Sequence, residues 1–182
     1  MLKIVYPICC GIDVHKTFVV ACIAITDNKG ITTYKRHRFS TFTQGLRELL
    51  QWLELFSCFD VCMESTGKYW IPVYNILEPS VNITLAHPKY VKAIRGKKTD
   101  TKDAQWIAEL FKHDLVAGSF MPPLAIRELR DLMRYRFKLT NFASSEKNRF
   151  QNSLTVSNIQ SASVVSDTFG KSALKIIERI LE

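Results

Sequence analysis

Long apolar runs are missing from this chain of 182 residues. A membrane-spanning helix needs about 20 consecutive, mostly apolar residues, and no segment of the sequence reaches that length. The apolar stretch from Ile4 to Cys10 is short and leads directly into a polar motif, so we expect neither a signal peptide nor a membrane anchor. Internal repeats and low-complexity tracts are also absent. The sequence therefore predicts a folded cytoplasmic domain with no membrane partner.

Phosphate-binding glycine loops are missing as well. The Gly67-Lys68 pair has no upstream glycine at the spacing of a phosphate loop, which argues against a P-loop NTPase. The opening Gly-Ile-Asp followed by a β-hairpin pattern is compatible with an actin-like ATPase or a sugar kinase. That class needs further glycine-rich loops and a much longer chain.

Paired cysteine motifs are the third absence. The cysteines are odd in number, contain no C-x-x-C pair and lie mostly in apolar runs: Cys9, Cys10, Cys22, Cys58 and Cys62. A disulfide framework or a zinc site would need even numbers or ligand spacing. We therefore expect buried, reduced thiols in a cytosolic protein.

Positive charge and apolar content are what the sequence does have. Lys and Arg number 25 against 17 Asp and Glu, a formal net charge of +8, and 47% of the residues are hydrophobic. A chain of this size can bury one core and add an extension, and its charge favours polyanions such as nucleic acid. We predict a catalytic-sized domain over residues 1–121 and a helical extension over 122–182.

The hydrophobic pattern predicts an α/β fold. Two β-rich runs between Ile8 and Ile25 and a third after the turn at Asp27–Gly30 predict an antiparallel meander. Helical spacing then alternates with the short strands DVCME and NITLA, and a further helix begins near Asp100. The predicted order, β-β-β-α-β-α-β-α, corresponds to a ribonuclease H-like mixed sheet flanked by helices.

Beyond Pro122 and Pro123 a long helical pattern rich in Arg and Lys extends to about Leu154. Its apolar positions suggest a stripe that packs on a partner helix, although no clean heptad persists along it. These positions are Leu129, Leu132, Met133, Leu139 and Ala143. A polar break and a short amphipathic helix, KSALKIIERILE, follow.

Four carboxylates lie in short polar motifs beside apolar runs: Asp13, Glu64, Asp100 and Asp103. Asp13 and Glu64 end predicted strands, and Asp100 and Asp103 are three residues apart, on one face of a predicted helix. Grouped carboxylates repel one another unless cations neutralise them, and Mg²⁺ prefers such oxygen ligands. The set indicates metal-assisted phosphoryl transfer with two Mg²⁺ or Mn²⁺ ions. Each acid also has a structural alternative, as a turn residue, a solvated acid or a helix cap.

A basic segment adjoins two of the proposed metal ligands. Its cations are Lys89, Lys92, Arg95, Lys97, Lys98 and Lys102. They would guide a nucleic-acid backbone towards acids that otherwise repel it, or they form a solvated face. Tyr69 and Trp70 are alternatively base-stacking or core residues. His15 is a weaker candidate for proton transfer beside Asp13.

The motifs GIDVHK, MESTG and KTDTKDA, in this order and spacing, resemble the N-terminal domain of the DEDD transposases of insertion sequence family 110, which include Piv-type invertases. The resemblance implies a RuvC-like, ribonuclease H-type fold with divalent metal held by Asp13, Glu64, Asp100 and Asp103. It also implies DNA transposition or site-specific recombination by a homo-oligomer, with an element-encoded guide RNA in at least some members.

The same resemblance implies a second domain with a nucleophilic serine, which this chain lacks, so we expect a truncated transposase. We assign the serine role to no residue upstream of Glu182. Two alternatives remain open: a catalytically silent nucleic-acid-binding remnant, and a stand-alone Holliday-junction resolvase with the same fold and acids.

Overall fold

The computed structural model of the chain describes residues 2–65, 67–87 and 100–181, with the backbone alone at 100–102, 162 and 181. The chain divides into two compact units, Met1–Met121 and Pro122–Glu182. Along the described residues, no helix combines the length and apolar character needed to cross a membrane.

The first unit is built on a five-stranded sheet of order β3-β2-β1-β4-β5. Its strands are β1 (Ile8–Val14), β2 (Phe18–Thr26), β3 (Thr32–Ser40), β4 (Asp60–Glu64) and β5 (Asn82–Ala86). The first three form an antiparallel meander, whereas β4 and β5 run parallel to β1. Asp27 shapes the β2–β3 turn, since its Oδ1 accepts hydrogen bonds from the backbone nitrogens of Lys29 and Ile31.

Helices cover both faces of this sheet. The helices of the first unit are α1 (Thr43–Leu55), α2 (Trp70–Leu77) and α3 (Asp100–Lys112). One core lies between the sheet and α1 and α2, and it includes Ile12, Ile23, Leu49, Met63 and Leu77. The other lies between the opposite face and α3, around Cys9, Cys62, Ile107 and Phe111. The predicted ribonuclease H-like mixed sheet flanked by helices is confirmed.

The second unit is helical, with α4 (Leu124–Val156), α5 (Ser161–Val164) and α6 (Lys171–Leu181). Leu154 is the one described residue of α4 whose side chain is buried. Thr168, Ala173 and Ile177, which follow it in this unit, are also buried. The phenyl rings of Phe150 and Phe169 pack 5.6 Å apart. The apolar side chains in the first two thirds of α4 are instead exposed to solvent.

The five cysteines are free and buried. Burial raises the pKa of Cys9 and of Cys62 to about 12 and that of Cys22 to about 11, so these thiols stay protonated at neutral pH. A protonated thiol is neither a nucleophile nor a metal ligand. The cysteines therefore behave as small core residues.

Candidate metal centre

Asp13 and Glu64 are brought together by the pairing of β1 with β4. These strands are parallel, with Cys10 opposite Val61 and Ile12 opposite Met63, and continuing this register places Asp13 opposite Glu64. Neighbouring strands lie about 4.8 Å apart. Both acids lie near the carboxyl ends of their strands and are half-buried. Side chains alternate along a strand, and both acids fall on the face that carries Cys9 and Cys62 against α3.

The backbone of α3 comes directly against the backbone of β1 on this face, because small residues line the contact. A Cβ atom at Gly11 would overlap the carbonyl oxygen of Ala104 and the backbone nitrogen of Ala108. The Cys9 thiol donates a hydrogen bond to the carbonyl oxygen of Ala108, with Sγ and O 3.6 Å apart. This contact holds the first turns of α3 over β1. Half-buried Asp103 in the first turn of α3 directly precedes Ala104.

The electrostatics of Asp13 show that the acids interact. Burial, the first cause, and the negative charges of Asp103 and Glu64 raise the pKa of the Asp13 carboxyl group, although His15 opposes the shift. The Nε2 atom of His15 lies 3.0 Å from Oδ2 of Asp13, and the Asp13 side chain is 17% exposed. Asp13 is therefore a partly desolvated acid beside two other negative charges, an arrangement that a cation would stabilise.

The described acids fit a divalent cation in their chemistry. Each offers hard oxygen donors, and their mutual repulsion is the cost that bound metal relieves. Among the side chains that the structure describes, no three His, Cys, Asp or Glu residues converge closely enough to form a metal site by themselves. Asp100 opens α3, but its side chain lies outside the described part.

The predicted basic residues also fall outside the described part of the structure. Residues 88–99, which include Lys89, Lys92, Arg95, Lys97 and Lys98, are not among those described, and neither is the side chain of Lys102. Their contact with nucleic acid remains a prediction. The structure does place Trp70: its indole packs against the core under α2, with Nε1 donating to the carbonyl oxygen of Gly67 at 3.1 Å. Trp70 is thus a half-buried residue at the edge of the core, whereas Tyr69 beside it is exposed.

His15, a candidate from the sequence, is the first of a row of side chains that extends from Asp13 to two residues that were not candidates, Phe18 and Arg38. The ring of His15 lies 4.3 Å from the ring of Phe18, and the guanidinium carbon of Arg38 lies 3.7 Å from the same Phe18 ring. Arg38 is on the edge strand β3 and is exposed. The basic run Lys35-Arg36-His37-Arg38 was a visible signal in the sequence. Its relation to Asp13 depends on strand pairing and could not be deduced from spacing alone.

Comparison with known protein families gives a match that covers most of the chain. The model of a family described as transposase, the DEDD transposases of insertion sequence family 110, matches residues 10–159, which is most of the chain. The chain belongs to this family. A comparison with curated proteins found no match.

Solved structures of similar fold include Thermus thermophilus RuvC, with 13% identity and a TM-score of 0.45 over 62% of this chain and 99% of that one. The same resolvase in complex with a Holliday junction substrate has 12% identity and a TM-score of 0.44, covering 63% and 100%. A Fowlpox virus resolvase bound to Holliday junction DNA has 12% identity and a TM-score of 0.36, covering 57% and 72%.

Proposed function

We propose that this chain carries the metal-dependent DNA-cleaving site of a transposase or site-specific recombinase. Asp13, Glu64, Asp100 and Asp103 hold divalent metal, Mg²⁺ or Mn²⁺, in a site for two ions. The observation that supports this most strongly is the placement of Asp13 and Glu64 side by side under α3, where the charge of Asp103 also acts on Asp13.

The chain's own residues would bind and orient the reacting phosphate group. When bound, the metal supplies charge stabilisation for the attacking and leaving oxygens of phosphoryl transfer. Asp13 and Glu64 provide oxygen donors from rigid strands, and α3 provides the donors of its first turn from the opposite side. Since the small-residue contact at Gly11 sets the height of α3 above β1, it also sets the distance between these two groups of donors.

The proposed partners are nucleic acids. DNA is the substrate that membership of a transposase family supports. The basic residues 89–102 would contact the backbone of DNA or of a guide RNA encoded by the element. The formal net charge of +8 favours either polyanion.

A second proposed partner is another copy of this chain, bound through α4. Large apolar side chains on this helix are exposed: Leu129 by 55%, Leu132 by 66%, Met133 by 52% and Leu139 by 49%. Apolar side chains at helical spacing on a long exposed helix are the usual basis of helix pairing. This proposal makes the extension an assembly element.

The metal site is tested by titrating the purified chain with Mn²⁺, followed by electron paramagnetic resonance, and by assaying cleavage of supercoiled DNA. Asp13→Asn should weaken Mn²⁺ binding at least tenfold and abolish metal-dependent cleavage, because it removes a charged ligand. Asp131→Asn is a matched control, since Asp131 is an exposed acid of α4 whose ion-pair partner is Arg134. Equal Mn²⁺ affinity in the wild type and Asp13→Asn would disprove the assignment.

The same experiments separate the alternatives. Binding of DNA that persists in Asp13→Asn, with no cleavage by the wild type at any metal concentration, identifies a silent binding remnant. Cleavage confined to four-way junctions, with none of supercoiled or linear DNA, identifies a junction resolvase.

A further inference from the structure

Edge strand β3 presents two different faces. Tyr34 and Arg36 lie on the α3 side, because the Tyr34 hydroxyl donates to Glu109 of α3 and the Arg36 guanidinium donates to Oε1 of Gln105 at 2.7 Å. His37 and Phe39 lie on the other side, where both rings pack against Trp52 of α1. Alternation along the strand therefore assigns Arg38 to the same face as Arg36 and Tyr34.

Arg38 is in register with the proposed metal ligand Asp13. In the antiparallel meander Asp13 pairs with Val20, and Val20 pairs with Arg38. Two strand spacings put the backbones of Asp13 and Arg38 about 10 Å apart. Both side chains point to the α3 face, so a fixed cation stands beside the acids at the open edge of the sheet.

Phe18 holds the Arg38 guanidinium in place. The guanidinium carbon lies 3.7 Å from the centroid of the ring, the distance of a cation–π contact. A stacked guanidinium keeps its N–H donors in its own plane, where two of them can bind one phosphate group. Within the described residues Arg38 forms no ion pair with a carboxylate. His15 contacts both the Phe18 ring and Asp13, which makes the row continuous.

Two further cations border this row. Lys16 is exposed in the turn between β1 and β2, and that turn is tied down because Thr41 Oγ1 donates to the Lys16 carbonyl oxygen at 3.0 Å. Arg36 lies two residues before Arg38 on the same face. A polyanion that reaches the acids across this edge would pass all three charges, which offsets its repulsion by Asp13 and Glu64.

We propose that Arg38, held by Phe18 and flanked by Lys16 and Arg36, binds the phosphodiester backbone of the DNA strand that lies in the carboxylate site. The inference rests on the proposed function and adds an entry path for the strand from the β3 edge, formed by residues other than 89–102. DNA is the occupant because the surface is continuous with the site where the strand to be cut must lie. Arg38 would contact a phosphate of the same strand close to the reacting one, because the backbones of Asp13 and Arg38 are about 10 Å apart.

The test is fluorescence anisotropy of labelled single-stranded DNA with the full chain, without divalent metal, over a series of salt concentrations. Arg38→Gln should raise Kd roughly tenfold and lower the slope of log K against log salt by about one phosphate contact. Arg47→Gln is the matched control, because Arg47 is an exposed arginine of α1 on the opposite face of the sheet. It should change Kd by less than about twofold.

Two more variants test whether binding depends on the charge of Arg38 alone or also on its planar, stacked guanidinium. Arg38→Lys keeps the charge but loses the planar fork, so we expect it to retain the salt slope with a Kd between those of the wild type and Arg38→Gln. Phe18→Leu should give a similar partial loss, since it keeps Arg38 but removes the stacking surface. Equal Kd and slope for Arg38→Gln and Arg47→Gln would overturn the inference.

The proposed metal site is tested by a separate measurement, which is Mn²⁺ binding. Mn²⁺ binding should be unchanged in Arg38→Gln and weakened in Asp13→Asn. Unchanged DNA affinity in Arg38→Gln, with normal Mn²⁺ binding, overturns the entry path but leaves the metal site standing. A wild-type chain that binds no DNA overturns both. A larger loss of affinity for single-stranded RNA of the same sequence than for DNA would show that RNA occupies the edge.

Discussion

Gly11 of β1 and Ala104 of α3 meet backbone to backbone. No side chain fits between them, because even a Cβ atom at Gly11 would overlap the Ala104 carbonyl oxygen. The two residues adjoin the proposed ligands, since Gly11 precedes Asp13 by two positions and Ala104 follows Asp103. The close packing of a strand on a helix therefore determines how near the acids of the two elements come.

Gly11→Ala should destabilise the first unit. The added methyl group meets the backbone of α3, which cannot move aside by a rotamer change, and overpacking of this kind costs about 1–3 kcal/mol. Urea unfolding followed by circular dichroism measures the change. Gly118→Ala is the control, because its new Cβ would lie 3.2 Å from the Thr84 methyl group and should alter the free energy of unfolding by less than about 1 kcal/mol. Equal stability of the two variants would show that α3 adapts easily.

A buried polar network fixes the other end of α3. Lys112, only 4% exposed, donates from Nζ to Glu109 Oε1 at 2.8 Å and to Thr32 Oγ1 at 3.1 Å. The Tyr34 hydroxyl donates to the second oxygen of Glu109. The network joins α3 to β3 and holds the Lys112 charge almost fully out of solvent, beside the half-buried carboxylate of Glu109.

Glu109→Gln should lower the free energy of unfolding by about 2 kcal/mol at pH 7, because it leaves the buried Lys112 charge without its carboxylate. Burial of Glu109 acts to raise its pKa, but hydrogen bonds from Lys112 and Tyr34 outweigh burial, and the pKa lies below the ordinary 4.5. A lowered pKa contributes stability above pH 4.5 that is lost as pH falls through the folded-state value. The difference between wild type and variant, from urea unfolding between pH 7 and pH 4, should therefore shrink towards the acid end. A constant difference would contradict the ion-pair explanation.

Much of the fold could be predicted from the sequence because its periodicities are strong. Apolar β-rich runs and a turn signal defined β1 to β3, helical spacing defined α1 and the long α4, and the acids Asp13 and Glu64 fell at strand ends as expected. The position of Arg38 could not be predicted, because it depends on register across two strand pairs.

The contacts of α3 could not be predicted from the sequence either, because they depend on how α3 packs on the sheet. Gly11 reads locally as a turn or bulge residue, and its role as the contact point of a helix appears only when β1 and Ala104 pack. Glu109 and Lys112 read as an ordinary pair on an exposed helix face. The burial of Lys112 is a property of the packed β3 edge.

Asp13→Asn should make the metal-free protein more stable. Burial and the neighbouring charges of Asp103 and Glu64 disfavour the Asp13 carboxylate, as its raised pKa shows, and asparagine removes that charge at nearly the same volume. Thermal unfolding in EDTA should give a higher Tm for Asp13→Asn than for the wild type. Adding Mn²⁺ should raise the Tm of the wild type and leave that of the variant nearly unchanged. A lower Tm for the variant in EDTA would mean that the contact with His15 outweighs the repulsion.

Leu132→Glu should weaken self-association. Leu132 is 66% exposed on α4, and a charge in the centre of a pairing stripe cannot be buried without a large desolvation cost. Sedimentation equilibrium should show the wild type as an oligomer and Leu132→Glu shifted towards monomer, with at least a tenfold weaker association constant.

Ser145→Glu adds the same charge to the same helix at an exposed position, about 140° around the axis from Leu132 at 3.6 residues per turn. It should leave the association constant unchanged within about twofold. A monomeric wild type would contradict the assembly role of α4, and equal weakening by both variants would attribute the effect to net charge rather than to the apolar stripe.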